Sequence, residues 1–165
     1  MSPEIQKAME HFSRIKSFPL TNTNGFFIVD ADEYEFLSQF KFYMDFTNSP
    51  VIRETQFKQN VSNLILDTER SVDHKDRCII DNRKKNLRKA SRSQQQCNRG
   101  LGDNNTSGVS GVDFHKKSNK WRVRITKKGI TYSLGLFSSK EEAIKARNEG
   151  AKKYHGRFAV IYPIN

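Results

Sequence analysis

Val72-Asp73-His74-Lys75-Asp76-Arg77-Cys78-Ile79-Ile80-Asp81-Asn82-Arg83-Lys84-Lys85-Asn86-Leu87-Arg88-Lys89-Ala90-Ser91 is the stretch on which the fold turns. An acid and an imidazole stand side by side at Asp73 and His74. Neighbours within a strand point to opposite faces, but at a strand end both can turn toward one pocket. The two groups suit different tasks. A carboxylate is a hard ligand for a cation such as Mg²⁺, and a histidine of near-neutral pKa takes a proton from water. Asn86 precedes a basic strand, Leu87-Arg88-Lys89-Ala90, where an amide braces the loop or orients the imidazole. Ser91 is placed to N-cap a helix over 92–99, with Gln95 and Asn98 on one face. The spacing therefore predicts strand, loop, strand, helix over 72–98.

This order resembles the HNH nucleases with their ββα-metal site: Asp73-His74, then Asp81-Asn82-Arg83, then Asn86-Leu87-Arg88, then a polar helix. The resemblance implies that His74 is the general base, Asp73 a metal ligand and Asn86 a support of the catalytic site. It also implies one divalent ion, Mg²⁺ or Mn²⁺. The family's helix ligand, a His or Asn, falls here on Gln95, which offers the same amide oxygen on a stem one methylene longer. A His-Arg pair common on the preceding strand is replaced by Ser62-Asn63. Arg83, Lys84, Lys85, Arg88 and Arg92 are expected to grip phosphates. Taken singly, each of these residues reads as a turn former or loop cap. Their order inside a basic segment supports the nuclease-type fold.

Outward from this stretch the charge is uneven. Residues 1–70 hold 7 basic and 10 acidic side chains, and residues 71–165 hold 22 and 8, so the back half is built to meet a polyanion. There, Val112-Asp113-Phe114-His115, then 121–126, then 131–135 alternate with period two, which predicts a three-stranded antiparallel meander. Val112, Phe114, Trp121, Val123, Ile125, Tyr132 and Leu134 form its apolar face. Asp113, His115, Arg122, Arg124, Thr126, Thr131 and Ser133 form the other. Ser138-Ser139-Lys140-Glu141-Glu142 has capping-box spacing, and the small residues after it predict a helix up to Gly156 lying close to the apolar face. Asn104 to Val112, Lys120-Trp121, Leu134-Gly135-Leu136-Phe137 and Glu141-Glu142-Ala143 look like the ethylene-response-factor (APETALA-type) DNA-binding domain. That likeness implies DNA contacts at Asp113, His115, Arg124, Thr126, Thr131 and Ser133, with Arg122 adjacent. Several family arginines are missing, notably at Asp113 and His115.

The front half reads as packing. Nine of the twelve Phe precede residue 71, and Ile5, Ala8, Met9, Phe12 and Ile15 recur at helical spacing. Phe26-Phe27-Ile28-Val29 predicts a short buried strand, 30–39 a helix with Tyr34, Leu37 and Phe36 inward, and 51–66 further strands. The expected organisation is an α+β chain: an N-terminal unit with the nuclease motif over 1–99, a Gly/Asn/Ser-rich linker over 100–108, and a DNA-binding domain over 109–165.

No apolar run approaches the roughly 20 residues of a membrane span, and residues 1–16 lack a signal-like core. Cys78 and Cys97 supply neither a disulfide framework nor a four-thiolate zinc site, so a reducing setting is expected. The expected function is that of a metal-dependent DNA endonuclease of the free-standing homing type, acting on double-stranded DNA in the cytoplasm of a bacterial host of a phage or mobile element. The alternatives are a catalytically degenerate DNA-binding regulator and a mobile-element factor that binds a host protein.

Overall fold

A computed structural model describes residues 2, 6, 13–54 and 57–164. It is a mixture of short helices and small antiparallel sheets, as the α+β expectation requires. The chain divides into two compact units, 1–89 and 90–165, a division earlier in the chain than the expected 100–108 linker.

In the first unit, β1 (Ile15–Pro19) pairs antiparallel with β2 (Phe26–Asp30). Alternation along β2 buries Phe27 and Val29 completely and leaves Phe26 half exposed. A 3-10 turn leads into the single-turn helix α1 (Tyr34–Leu37). β3 (Phe42–Met44), β4 (Pro50–Glu54) and β5 (Phe57–Asn60) form a meander, followed by α2 (Val61–Ile65). β6 (Val72–His74) and β7 (Leu87–Lys89) close the unit as a two-stranded ribbon. The core is aromatic: Phe27 lies 5.5 Å from Phe18 and 4.9 Å from Phe42, ring centre to ring centre. Leu87 of β7 belongs to the same core, so the ribbon is anchored to it. Burying one such side chain stabilises the fold by about 1.5–3 kcal/mol.

Three expectations change here. Of the expected first helix, Ile5, Ala8, Met9 and Phe12 lie outside the described residues, and Ile15 opens β1 instead. Leu37 is buried and Tyr34, 43% exposed, stacks on the core ring of Phe18 at 5.0 Å, but Phe36 is 47% exposed, because a single turn cannot aim all three at the core. The apolar run at 61–65 is helical, burying Val61 and Ile65 at i and i+4, where strand was expected.

The second unit begins with α3 (Arg92–Cys97), capped by Ser91, whose hydroxyl accepts from the Gln94 N–H while Gln94 Oε1 accepts from the Ser91 N–H. α3 packs against the central strand of the meander. The expected slack at 100–108 is partly a knitted turn: Asn105 Oδ1 accepts from the Gly108 N–H, and Ser107 Oγ donates to the carbonyls of Val109 and Val112. Gly111 follows at φ +82°, where a Cβ would meet Arg124 O at 2.3 Å, so only glycine lets the chain enter the sheet there.

The meander is as predicted: β8 (Val112–His115), β9 (Lys120–Lys127) and β10 (Ile130–Phe137), with β9 central. Lys128 and Gly129, both at positive φ, make a two-residue hairpin turn. α4 (Lys140–His155) starts at the Ser139–Glu142 capping box and buries Ala143, Ile144 and Ala151 beneath the sheet. A bulge between Ser133 and Gly135 shifts the alternation, so Phe137 turns inward and Leu136 sits opposite Arg122, 46% exposed. Phe114, expected in the core, is 44% exposed and packs edge-on to Trp121.

Candidate active site

The β6–β7 ribbon places Asp73 opposite Arg88 and His74 opposite Leu87. Between the strands runs a long loop that would be slack if left to itself. It is docked onto β2: the Ile28 N–H donates to Ile80 O, and the Asn82 N–H donates to Ile28 O, each at 2.8 Å. Lys84 adds a second tie, its backbone N–H donating to Asp30 Oδ2 at 2.7 Å and its ammonium pairing with Glu33. Inside the loop, Asn86 acts as a buried brace. Its Oδ1 accepts from the Asp76 N–H, and its Nδ2 donates to Asp81 O at 2.8 Å. Of the two tasks the sequence left open for Asn86, the structure assigns it the loop.

Asn82 meets the imidazole instead, with Oδ1 3.3 Å from His74 Nε2. This amide is 1% exposed, and the sequence alone gives it no role beyond a loop cap and a place in the Asp81-Asn82-Arg83 triplet. Its orientation is fixed by Nδ2 donating to Ile79 O at 3.0 Å, which turns Oδ1 toward His74 Nε2. Burial pushes the His74 pKa below its ordinary value, against the opposing pull of Asn82 and the carboxylates of Asp76, Asp73 and Asp81. The imidazole is therefore neutral near pH 7 and able to accept a proton.

Asp73 is 8% exposed, and its Oδ2 accepts from Arg88 Nε at 2.7 Å and Nη2 at 2.6 Å. Asp81 accepts from Arg83 through both oxygens, which holds its carboxyl below the usual range. Arg83 and Arg88, expected on phosphates, thus have carboxylates of the site as their partners. Lys85 and Lys84 present exposed side chains, as does Arg92 in the second unit. At the position of the missing His-Arg pair, Asn63 donates to the carbonyls of Thr68 and Arg70 and shapes the chain leading to β6.

Among the described residues, no three His, Cys, Asp or Glu side chains gather as a metal cage. Mg²⁺ and Mn²⁺ need less than a cage, since they keep several waters and take one or two carboxylates with phosphate oxygens. Asp73 is such a carboxylate, and a carboxylate oxygen is the donor type a hard cation takes. Gln95 sits midway along α3, half buried.

On the sheet of the second unit, Asp113 accepts from Arg122 at 2.8 Å and from Arg124 at 3.0 Å. Partial burial works against its charge, but the two guanidiniums outweigh it and hold the carboxyl below its ordinary value. Thr126 and Thr131 share a hydroxyl hydrogen bond of 3.0 Å, Ser133 is exposed, and His115 Nδ1 lies 2.8 Å from Ser118 Oγ. The expected contact positions are therefore on one sheet face, with the charge of Asp113 neutralised.

No protein-family model matches the chain, and no solved structure does. Over 171 aligned positions, covering 88% of this chain and 89% of its relative, the sequence is 25% identical to an uncharacterized HNH endonuclease of Acanthamoeba polyphaga mimivirus, and that likeness supports a nuclease of the HNH kind.

Proposed function

We propose that the protein is a metal-dependent DNA endonuclease of the free-standing homing type, with the chemistry in the first unit and an ethylene-response-factor-like sheet that binds double-stranded DNA in the second. The observation that carries this reading is the neutral His74, whose Nε2 lies 3.3 Å from Oδ1 of the buried Asn82 and which is next in sequence to a buried carboxylate. The His74 imidazole takes a proton from water as the water oxygen attacks phosphorus and the bond to the leaving oxygen breaks. Asn82 holds the imidazole plane. Asp73 is the chain's carboxylate for the divalent ion, Mg²⁺ or Mn²⁺, and the family resemblance assigns Gln95 as a second ligand. When bound, such an ion stabilises negative charge on the scissile phosphate and the leaving oxygen.

A second reading has its own observation. The Arg88 guanidinium already satisfies Asp73 Oδ2, as suits a site that docks DNA without cutting it. Supercoiled plasmid separates the two. The nuclease reading expects nicking with Mg²⁺ or Mn²⁺ that is lost in His74→Ala. Binding without nicking by the wild type selects the DNA-binding regulator.

A further inference from the structure

The second unit carries a cationic feature apart from the Asp113 face. A cavity of about 500 Å³ is lined by Lys127, Lys128 and Lys153 together with Ser91, Ser93 and Gln94, and its lining contains no carboxylate. None of the three ammonium groups makes an ion pair among the described residues. Three like charges around one concavity repel each other, and an anion between them relieves that repulsion.

The three lysines are exposed, and the fold sets where each side chain starts. Lys127 and Lys128 are presented by the tight β9–β10 turn, with Lys127 paired to Ile130. Lys153 sits 5.5 Å from the Tyr154 ring centre, and Tyr154 stacks on Tyr132 at 4.5 Å. The capping box ties Gln94 Oε1 to the Ser91 N–H, which leaves the amide NH₂ as a donor without a protein partner among the described residues. Ser93 adds a hydroxyl. The groups offered are ammonium, amide and hydroxyl donors, the set that binds phosphate oxygens.

We propose that this cavity is a phosphate-binding site, on the α4 side of the sheet rather than on the Asp113 face. Its ligand is a phosphodiester of the nucleic-acid backbone or, from another source, a free phosphate such as pyrophosphate. Only the backbone as source rests on the DNA-binding reading above. Binding through it is independent of sequence, because no group in it is arranged to read base edges.

The test uses the full chain in EDTA with an uncut duplex, followed by fluorescence anisotropy across a salt series. The site variant is Lys127→Gln, Lys128→Gln and Lys153→Gln together. A charge-matched control carries Lys41→Gln, Lys145→Gln and Lys152→Gln, exposed lysines outside the cavity. If all three ammoniums sit on phosphates, the salt slope of the site variant falls by about 0.9 for each, and the wild-type advantage shrinks about 40-fold between 50 and 200 mM salt. The control keeps a slope nearer the wild type. In parallel, pyrophosphate is titrated into isotope-labelled protein and followed by backbone amide NMR. Shifts at residues 127, 128 and 153 in the wild type, absent from the site variant, with an unchanged DNA slope, assign the site to free phosphate. Equal slope losses in site variant and control overturn the proposal, as does the absence of both responses. Plasmid nicking is scored separately: a protein that nicks but lacks both responses loses the cavity assignment alone, and one that binds through the cavity without nicking loses the nuclease alone.

Discussion

Asp73 faces Arg88 across β6 and β7, and Asp113 faces Arg122 across β8 and β9, the same cross-strand acid–base pair in two hairpins. In the first hairpin the side chains are 9% and 14% exposed; in the second they are 37% and 35%. Removing one partner of a buried pair strands the other in a poor solvent, whereas an open pair is screened and its arginines can exchange the carboxylate for another anion. The first pair thus fixes the ribbon that carries His74, and the second holds two guanidiniums ready on a surface where a phosphate can compete for them.

The largest effect expected from this contrast is on stability. Arg88→Ala should cost about 3 kcal/mol in urea unfolding, because a buried carboxylate loses its guanidinium, while Arg122→Ala should cost about 1 kcal/mol or less. Equal small losses would remove the distinction. Asn82→Ala comes next: a fully buried amide is lost, and with it the partner of His74. Stability should fall by about 1–3 kcal/mol and cleavage by roughly 100-fold, with DNA binding retained. An unchanged cleavage rate would show that the imidazole needs no such support.

Acidity sharpens the comparison further. The folded-state pKa of His74 is depressed, so between that value and about 6.5 the unfolded chain holds a proton that the native chain does not. Stability should therefore fall as pH drops through this window, and cleavage should fall as the base is protonated. His74→Gln should flatten that part of the stability profile, and a profile identical to wild type would contradict the buried neutral imidazole. The smallest effect belongs to the open pair: Arg122→Gln with Arg124→Gln should reduce the salt slope of duplex binding by about 2 at most. An unchanged slope would take that face out of the DNA contact.

Local chemistry carried much of this in the sequence. The Asp73-His74 pair, the Ser91 and Ser139 caps and the β8–β10 meander follow from spacing and period, which act over a few residues. What escaped depends on which partner each polar group takes, near or far along the chain. Asn82 reaches His74 only because the loop docks on Ile28 of β2, and nothing in the Asp81-Asn82-Arg83 triplet distinguishes that role from a turn. The sign of Arg83 and Arg88 was legible, but their turn toward Asp81 and Asp73 was not. The bulge at Ser133–Gly135 moved Leu136 outward without breaking the apparent alternation, and Asn105 and Ser107, residues that suit a slack linker, build a bonded turn.

The most direct test of the division of labour compares two variants on one supercoiled plasmid with Mn²⁺ or Mg²⁺, reading nicking and duplex affinity together. His74→Ala should bind as the wild type does and leave the plasmid intact, while Arg122→Gln with Arg124→Gln should bind more weakly and still nick at saturating protein. Nicking by His74→Ala at the wild-type rate would contradict the account.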